Sequence, residues 1–240
     1  MSARSIPPSA AATKRLVLFD IDGTLLSTGA AARTTFASAL KDVYGTSVDV
    51  ESYPFEGRLD PLIVTDLMRA AGVADERIAA RRADALALYL DRLEAALQER
   101  PPVLKPGVLA LLDALEKVPG LVLALLTGNV ERGARLKLSS AGIWHRFTFG
   151  VWGDDASCRE ELGPVALLRA RPATGHFFTG PECVVVGDSR HDVACGLSLG
   201  ARAVAVGTGR TTLSALEAAG AHALLADFSD TSRALEAILA

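Results

Sequence analysis

Asp20 and Asp22 stand two residues apart, directly behind the apolar run Leu16-Val17-Leu18-Phe19 and ahead of Gly23-Thr24. Residues two apart on an extended chain point to the same side. Gly23 permits a sharp turn there, and the Thr24 hydroxyl can fix it. Three other apolar runs end in polar residues. Leu121–Leu126 runs into Thr127-Gly128-Asn129, and Cys183–Val186 into Gly187-Asp188-Ser189 with Asp192 following. Phe147–Val151 runs into Gly153-Asp154-Asp155, with Arg159 soon after. If these runs are parallel strands, their tips share one edge, where ligands of open α/β sheets bind. That edge would collect Asp20, Asp22, Asp188, Asp192, Thr127 and Arg159.

Clustered carboxylates raise one another's pKa unless a cation lies among them. Mg²⁺ suits such a set, because it takes hard oxygen ligands from few carboxylates and keeps its waters. A hydroxyl, a glycine amide and a guanidinium are donors for phosphate oxygens. One carboxylate can then attack phosphorus, and its neighbour can move the protons. A polar loop, Phe55-Glu56-Gly57-Arg58-Leu59-Asp60, lies far from these tips in sequence; Arg58 and Asp60 are read as substrate contacts carried by a lid. His191, His145, His176 and His222 read as bystanders, and Trp144 and Trp152 as packing residues.

The elements that must position these groups follow from periodicity. Leu16–Asp20 reads as a buried strand. Residues 29–100 read as almost purely helical, with no convincing strand: a helix over 29–44, a turn-rich stretch including Pro54 and Gly57, a helix from Asp60-Pro61 to about Ala71 with Asp60 as its cap, and a long amphipathic helix from Asp75 to about Arg100. From Pro106 onward, strands of four to six apolar residues alternate with helices, which implies a parallel sheet covered on both faces. The expected fold is therefore α/β, a Rossmann-like doubly wound parallel sheet with an inserted all-helical cap. The core would comprise residues 14–28 and 103–240, the cap 29–102, and residues 1–13, rich in Ser, Ala and Pro, a disordered tail.

Composition narrows the class. The chain has 240 residues, net charge −3 and 50% hydrophobic residues, enough for a sizeable core with an appended smaller unit. No basic block suggests nucleic-acid binding, and no apolar run is long enough for a membrane span. Cys158, Cys183 and Cys195 show neither disulfide nor zinc spacing and read as buried or partly buried thiols, which fits a cytoplasmic setting.

Asp20–Thr24, Thr127 and Gly187–Asp192, each at a strand end and in this order, resemble motifs of the haloacid dehalogenase superfamily. The chain looks most like its phosphoglycolate-phosphatase-like members, whose helical cap follows the first strand. The resemblance spans roughly residues 14–240 and implies roles residue by residue. Asp20 would be nucleophile and Mg²⁺ ligand, and Asp22 general acid/base with its carbonyl on the metal. Thr127 and the Gly128 amide, with Asn129 beside them, would bind substrate. Asp188 would ligate Mg²⁺, and Asp192 would support it directly or through water. The superfamily's third motif normally supplies a Lys, yet no Lys follows Lys137. Arg159 is the best substitute; Arg169 and Arg171 lie deeper in or beyond the same helix. The implied activity is hydrolysis of a small phosphorylated metabolite through an aspartyl-phosphate. A phosphomutase, a pyrophosphatase and a non-catalytic metabolite-binding protein are the alternatives.

Overall fold

The computed structural model describes residues 14–240, so the tail expected over 1–13 lies outside the described residues. Six strands form one parallel sheet: β1 (Arg15–Phe19), β4 (Leu121–Leu126), β5 (Gly150–Val151), β6 (Cys183–Gly187), β7 (Arg202–Val206) and β8 (Ala223–Leu225), in the order β5-β4-β1-β6-β7-β8. β1 is central, its Phe19 in register with Leu125 of β4 and Val186 of β6. The strands are continuous apolar runs because both faces are covered. Alternation assigns the faces: Val17 and Phe19 join one apolar cluster, Leu16 and Leu18 another. Helices α4 (Val108–Leu115) and α9 (Thr231–Leu239) cover the first face, and α6 (Leu162–Thr174) and α7 (Arg190–Leu199) the second. Helices α5 (Glu131–Ser140) and α8 (Leu213–Ala218) complete the crossovers.

The helices α1 (Ala31–Tyr44), α2 (Asp60–Ala70) and α3 (Asp75–Glu99) follow β1 as expected and surround an apolar cluster of their own, which includes Phe36, Leu40, Met68, Tyr89 and Leu93. Val130 of the sheet-bearing unit joins that cluster. Where the chain enters and leaves this helical unit, β2 (Leu26–Ser27) and β3 (Val103–Leu104) pair antiparallel, with Ser27 opposite Val103. Elements of two residues carry no readable periodicity, and neither was expected.

Two local expectations change. The strand read over Phe147–Val151 keeps strand geometry only at Gly150–Val151, although Thr148 N–H still donates to Leu123 O (2.8 Å). Asp60 does not cap its own helix. Leu59 is the cap residue, Asp60 is the first helical residue, and its carboxylate serves another helix, as described below.

Candidate active site

The tips of β1 and β6 and the start of α7 deliver the acids, and a 3-10 turn, Arg159–Glu161, just ahead of α6 delivers their cation. Asp20 leaves β1 with its N–H bonded to Val186 O (2.9 Å). Gly23 has φ 89°, and a Cβ there would fall 2.4 Å from Asp188 Oδ2, so the turn brings bare backbone against the second acid. Thr24 does not spend its hydroxyl on the turn; it donates to Asp188 Oδ1 (2.8 Å).

Asp20, Asp188 and Asp192 are buried and each offers a carboxylate oxygen within 4.8 Å of the others. Arg159, only 3% exposed, inserts among them. One nitrogen, Nη2, donates to Asp20 Oδ1 (2.8 Å) and Leu126 O (3.0 Å) and pairs with Asp192 Oδ1. Asp192 Oδ2 accepts from Ser189 N (3.0 Å) and Oγ (2.7 Å), which caps α7. Burial drives Asp20 up to about 7; the Arg159 charge opposes the rise and Asp192 adds to it. Asp188 is pushed well above the carboxylate range, first by burial and then by Asp20 and Asp192.

This donor set suits a divalent cation. Asp188 Oδ2 is buried without a hydrogen-bond partner among the described residues, and Arg159 engages only Oδ1 of Asp20. An orphaned, charged oxygen beside a second carboxylate is costly unless a cation joins them. Asp20 and Asp188 are therefore the carboxylates placed to hold one. Asp192 belongs to the same group of acids and also fixes Arg159 and the start of α7 through its two oxygens.

The Asp22 side chain faces away from that cluster. Its Oδ2 accepts from Asn129 Nδ2 (2.7 Å) and Lys137 Nζ (2.6 Å), and the Asn129 amide also donates to Thr127 Oγ1 (2.9 Å). Lys137 went unnoticed in the sequence because Arg135 and Lys137 resemble a solvated helix face. The signal was periodic: Lys137 lies three, four and seven residues after Ala134, Gly133 and Val130, all buried on α5 or at its start.

The helical unit meets this edge at the loop before α2. Asp60 N–H donates to Gly128 O (2.8 Å), and Asp60 Oδ2 accepts from Val130 N–H (3.0 Å) at the start of α5. A Cβ on Gly128 would fall 1.9 Å from Arg58 O, so this contact requires glycine. Burial raises Asp60 to about 6; Lys137 and the Val130 amide pull the other way. Arg58 pairs with Asp66 (2.9 Å). Between the two units lies a cavity of about 450 Å³ lined by Asp20, Asp22, Thr127, Gly128, Asn129, Arg159 and Asp188 on one side and by Arg33, Phe36, Arg58, Asp60 and Tyr89 on the other. All the expected site residues except Asp192 line it. Arg169 and Arg171 do not: Arg169 pairs with Asp155, and Arg171 lies over Phe177. His191 is also outside the lining, as are Trp144 and Trp152, which stack on each other 6.0 Å apart.

Comparison with known proteins identifies the family. The haloacid dehalogenase-like hydrolase family model matches residues 17–196, and a second model, HAD-hydrolase-like, matches residues 163–231. The chain belongs to the haloacid dehalogenase-like hydrolases. It is 32% identical over 234 residues to a protein of Dickeya dadantii named probable phosphatase IndB, covering 94% of this chain and 95% of the relative. It is 34% identical over 196 residues to a phosphoglycolate phosphatase of Xylella fastidiosa, 80% of either chain. Among solved structures, CbbY from Rhodobacter sphaeroides in complex with phosphate shares the fold at TM-score 0.71 and 22% identity, covering 90% of this chain and 96% of that one. A predicted phosphatase from Clostridium acetobutylicum does so at TM-score 0.73 and 23% identity, covering 93% and 99%.

Proposed function

We propose that this chain is a Mg²⁺-dependent phosphatase that hydrolyses a small phosphate monoester through an aspartyl-phosphate on Asp20. The observation that carries this is the state of Asp20: buried, one oxygen held by Arg159, and beside an Asp188 oxygen without a partner among the described residues. A carboxylate oriented by a guanidinium is aimed as a nucleophile. Asp20 and Asp188 would hold the metal, with the Asp22 carbonyl as a further oxygen. Bound there, the cation would neutralise charge on the nucleophile and on the phosphoryl oxygens.

The side chains supply the rest. Arg159 Nε and Nη1 are buried without hydrogen-bond partners among the described residues and can donate to an equatorial phosphoryl oxygen, as can Thr127 Oγ1 and the Gly128 amide. Asp20 attacks phosphorus in line with the leaving alcohol. Asp22 protonates that alcohol as its bond to phosphorus breaks, then takes a proton from the water that attacks the phosphorus of the Asp20 acyl phosphate, releasing phosphate and restoring the carboxylate. Residues 29–102 act as the lid, with Arg58 and Asp60 on its substrate side. The phosphatase names of the relatives and the small cavity support a small phosphorylated metabolite as substrate, and phosphoglycolate is the first to test.

The deciding experiment incubates the protein with Mg²⁺ and phosphoglycolate, quenches in acid, and locates phosphate by mass spectrometry. Phosphorylation at Asp20, lost in Asp20→Asn, is expected; turnover with no phospho-enzyme at position 20 would overturn the mechanism.

A further inference from the structure

Lys137 is a buried cation on α5 at the wall of the cavity, near Asp22, Asp60 and Tyr89, yet the reaction outlined above leaves it without a task. Its side chain is 4% exposed, against 40% for Asp22. The ammonium donates to Asp22 Oδ2 (2.6 Å) and Asn129 Oδ1 (2.5 Å), while Asn129 Nδ2 donates to the same Asp22 oxygen (2.7 Å). Asp22, Asn129 and Lys137 thus form a closed ring, tied through Asn129 to Thr127 Oγ1.

Two ordinary explanations fall short. Lys137 sits in the last turn of α5, where a cation complements the helix dipole, but its ammonium reaches side chains of the site instead of the terminal carbonyls. A packing role would be met by Met or Leu, since its neighbours on that helix face, Ala134 and Leu138, belong to an apolar cluster; a buried ammonium costs desolvation that those residues avoid.

We infer that Lys137 is a positioning residue for Asp22. It and Asn129 both seize Oδ2, which stops a half-exposed carboxylate from swinging and leaves Oδ1 to face the leaving oxygen in the cavity. The stem of Lys137 crosses the apolar face of α5 to deliver the charge. The inference rests on the reading of Asp22 as general acid/base. It makes Lys137 matter to the leaving group and not to the phosphoryl group.

Leaving-group dependence tests this. An alkyl ester such as phosphoglycolate needs a proton on its departing oxygen; p-nitrophenyl phosphate departs as a stable phenolate. The parameter kcat/KM reports the first, phospho-enzyme-forming step, so the later use of Asp22 as base does not enter. In Lys137→Met, kcat/KM for phosphoglycolate should fall about 10- to 100-fold, within the range of misplaced acid–base groups. That for p-nitrophenyl phosphate should fall less than about threefold, and the inhibition constant for inorganic phosphate should stay within about twofold. The ratio of the two substrates within one preparation is insensitive to the fraction of protein that folds. Lys137→Gln, which retains hydrogen bonding without charge, should fall between wild type and Lys137→Met.

Equal losses on both esters, no loss on either, or weakened phosphate binding would overturn the inference, as would failure of both variants to fold. Each of these leaves the phosphatase reading standing. A wild-type protein that cleaves neither ester with Mg²⁺ would remove that reading, and the inference with it.

Discussion

Arg159 serves Asp20 and Asp192 through one nitrogen, and a lysine ammonium in the same place would differ in reach and shape. A guanidinium is planar, permanently charged and less strongly hydrated, which suits a position 3% exposed between two acids. Removing it leaves two buried carboxylates face to face. Arg159→Met should therefore destabilise the metal-free protein by about 3–5 kcal/mol, read by urea denaturation with a chelator present. Arg159→Lys keeps the charge and should fold, but with kcat lowered at least about tenfold because one fork can no longer span both acids and the phosphoryl group. Asp20→Asn removes the nucleophile while keeping the size of the side chain. Its turnover should drop by several powers of ten, measured by phosphate release.

Elements explain which of these residues were readable in advance. Asp20, Thr127 and Asp188 each follow an apolar strand long enough to recognise, so their meeting at one edge follows from a parallel sheet alone. Arg159 was reachable through its place at a helix start. Lys137 was not, because its partner Asp22 is remote in sequence and helix periodicity marks burial without naming what is buried. The paired β2 and β3 were too short to leave a pattern. Asp60 looked like the cap of its own helix because Asp-Pro is a common helix start, whereas the carboxylate accepts from the Val130 amide at the start of α5. This contact has a pH signature. The folded-state pKa of Asp60 is raised to about 6 from 3.8, so between those values the folded chain keeps a proton that the unfolded chain has lost. The stabilisation from this group is complete below about pH 4, declines as pH rises through about 6, and is flat beyond. Asp60→Asn cannot titrate. The stability of wild type relative to Asp60→Asn should fall by on the order of 2 kcal/mol between pH 4 and pH 7, measured by chemical denaturation at fixed ionic strength.

At the scale of the whole molecule, the site exists only where the two units face each other. No helix among the described residues is long and apolar enough to cross a membrane, and the cavity of about 450 Å³ lies between the helical unit and the sheet edge. On the function proposed above, the substrate is a small ester held between the two units. Release of phosphate from phosphoserine in a folded protein should run at less than about 1% of the kcat/KM for phosphoglycolate, a gap of roughly 3 kcal/mol or more in transition-state binding. Metal should act on the sheet-bearing unit. Mg²⁺ should raise the melting temperature of the chelator-treated protein, and Asp188→Asn should abolish that rise while Asp22→Asn leaves most of it.

The short ribbon of β2 and β3 sets Ser27 directly across from Val103. Entry and exit of the helical insert are therefore neighbours, no farther apart than the two arms of a hairpin. Evolution could exchange, enlarge or delete everything between them without disturbing a single hydrogen bond of the six-stranded sheet. On the function proposed above, substrate preference and reaction chemistry could then be inherited separately, the one by the insert and the other by the sheet beneath it.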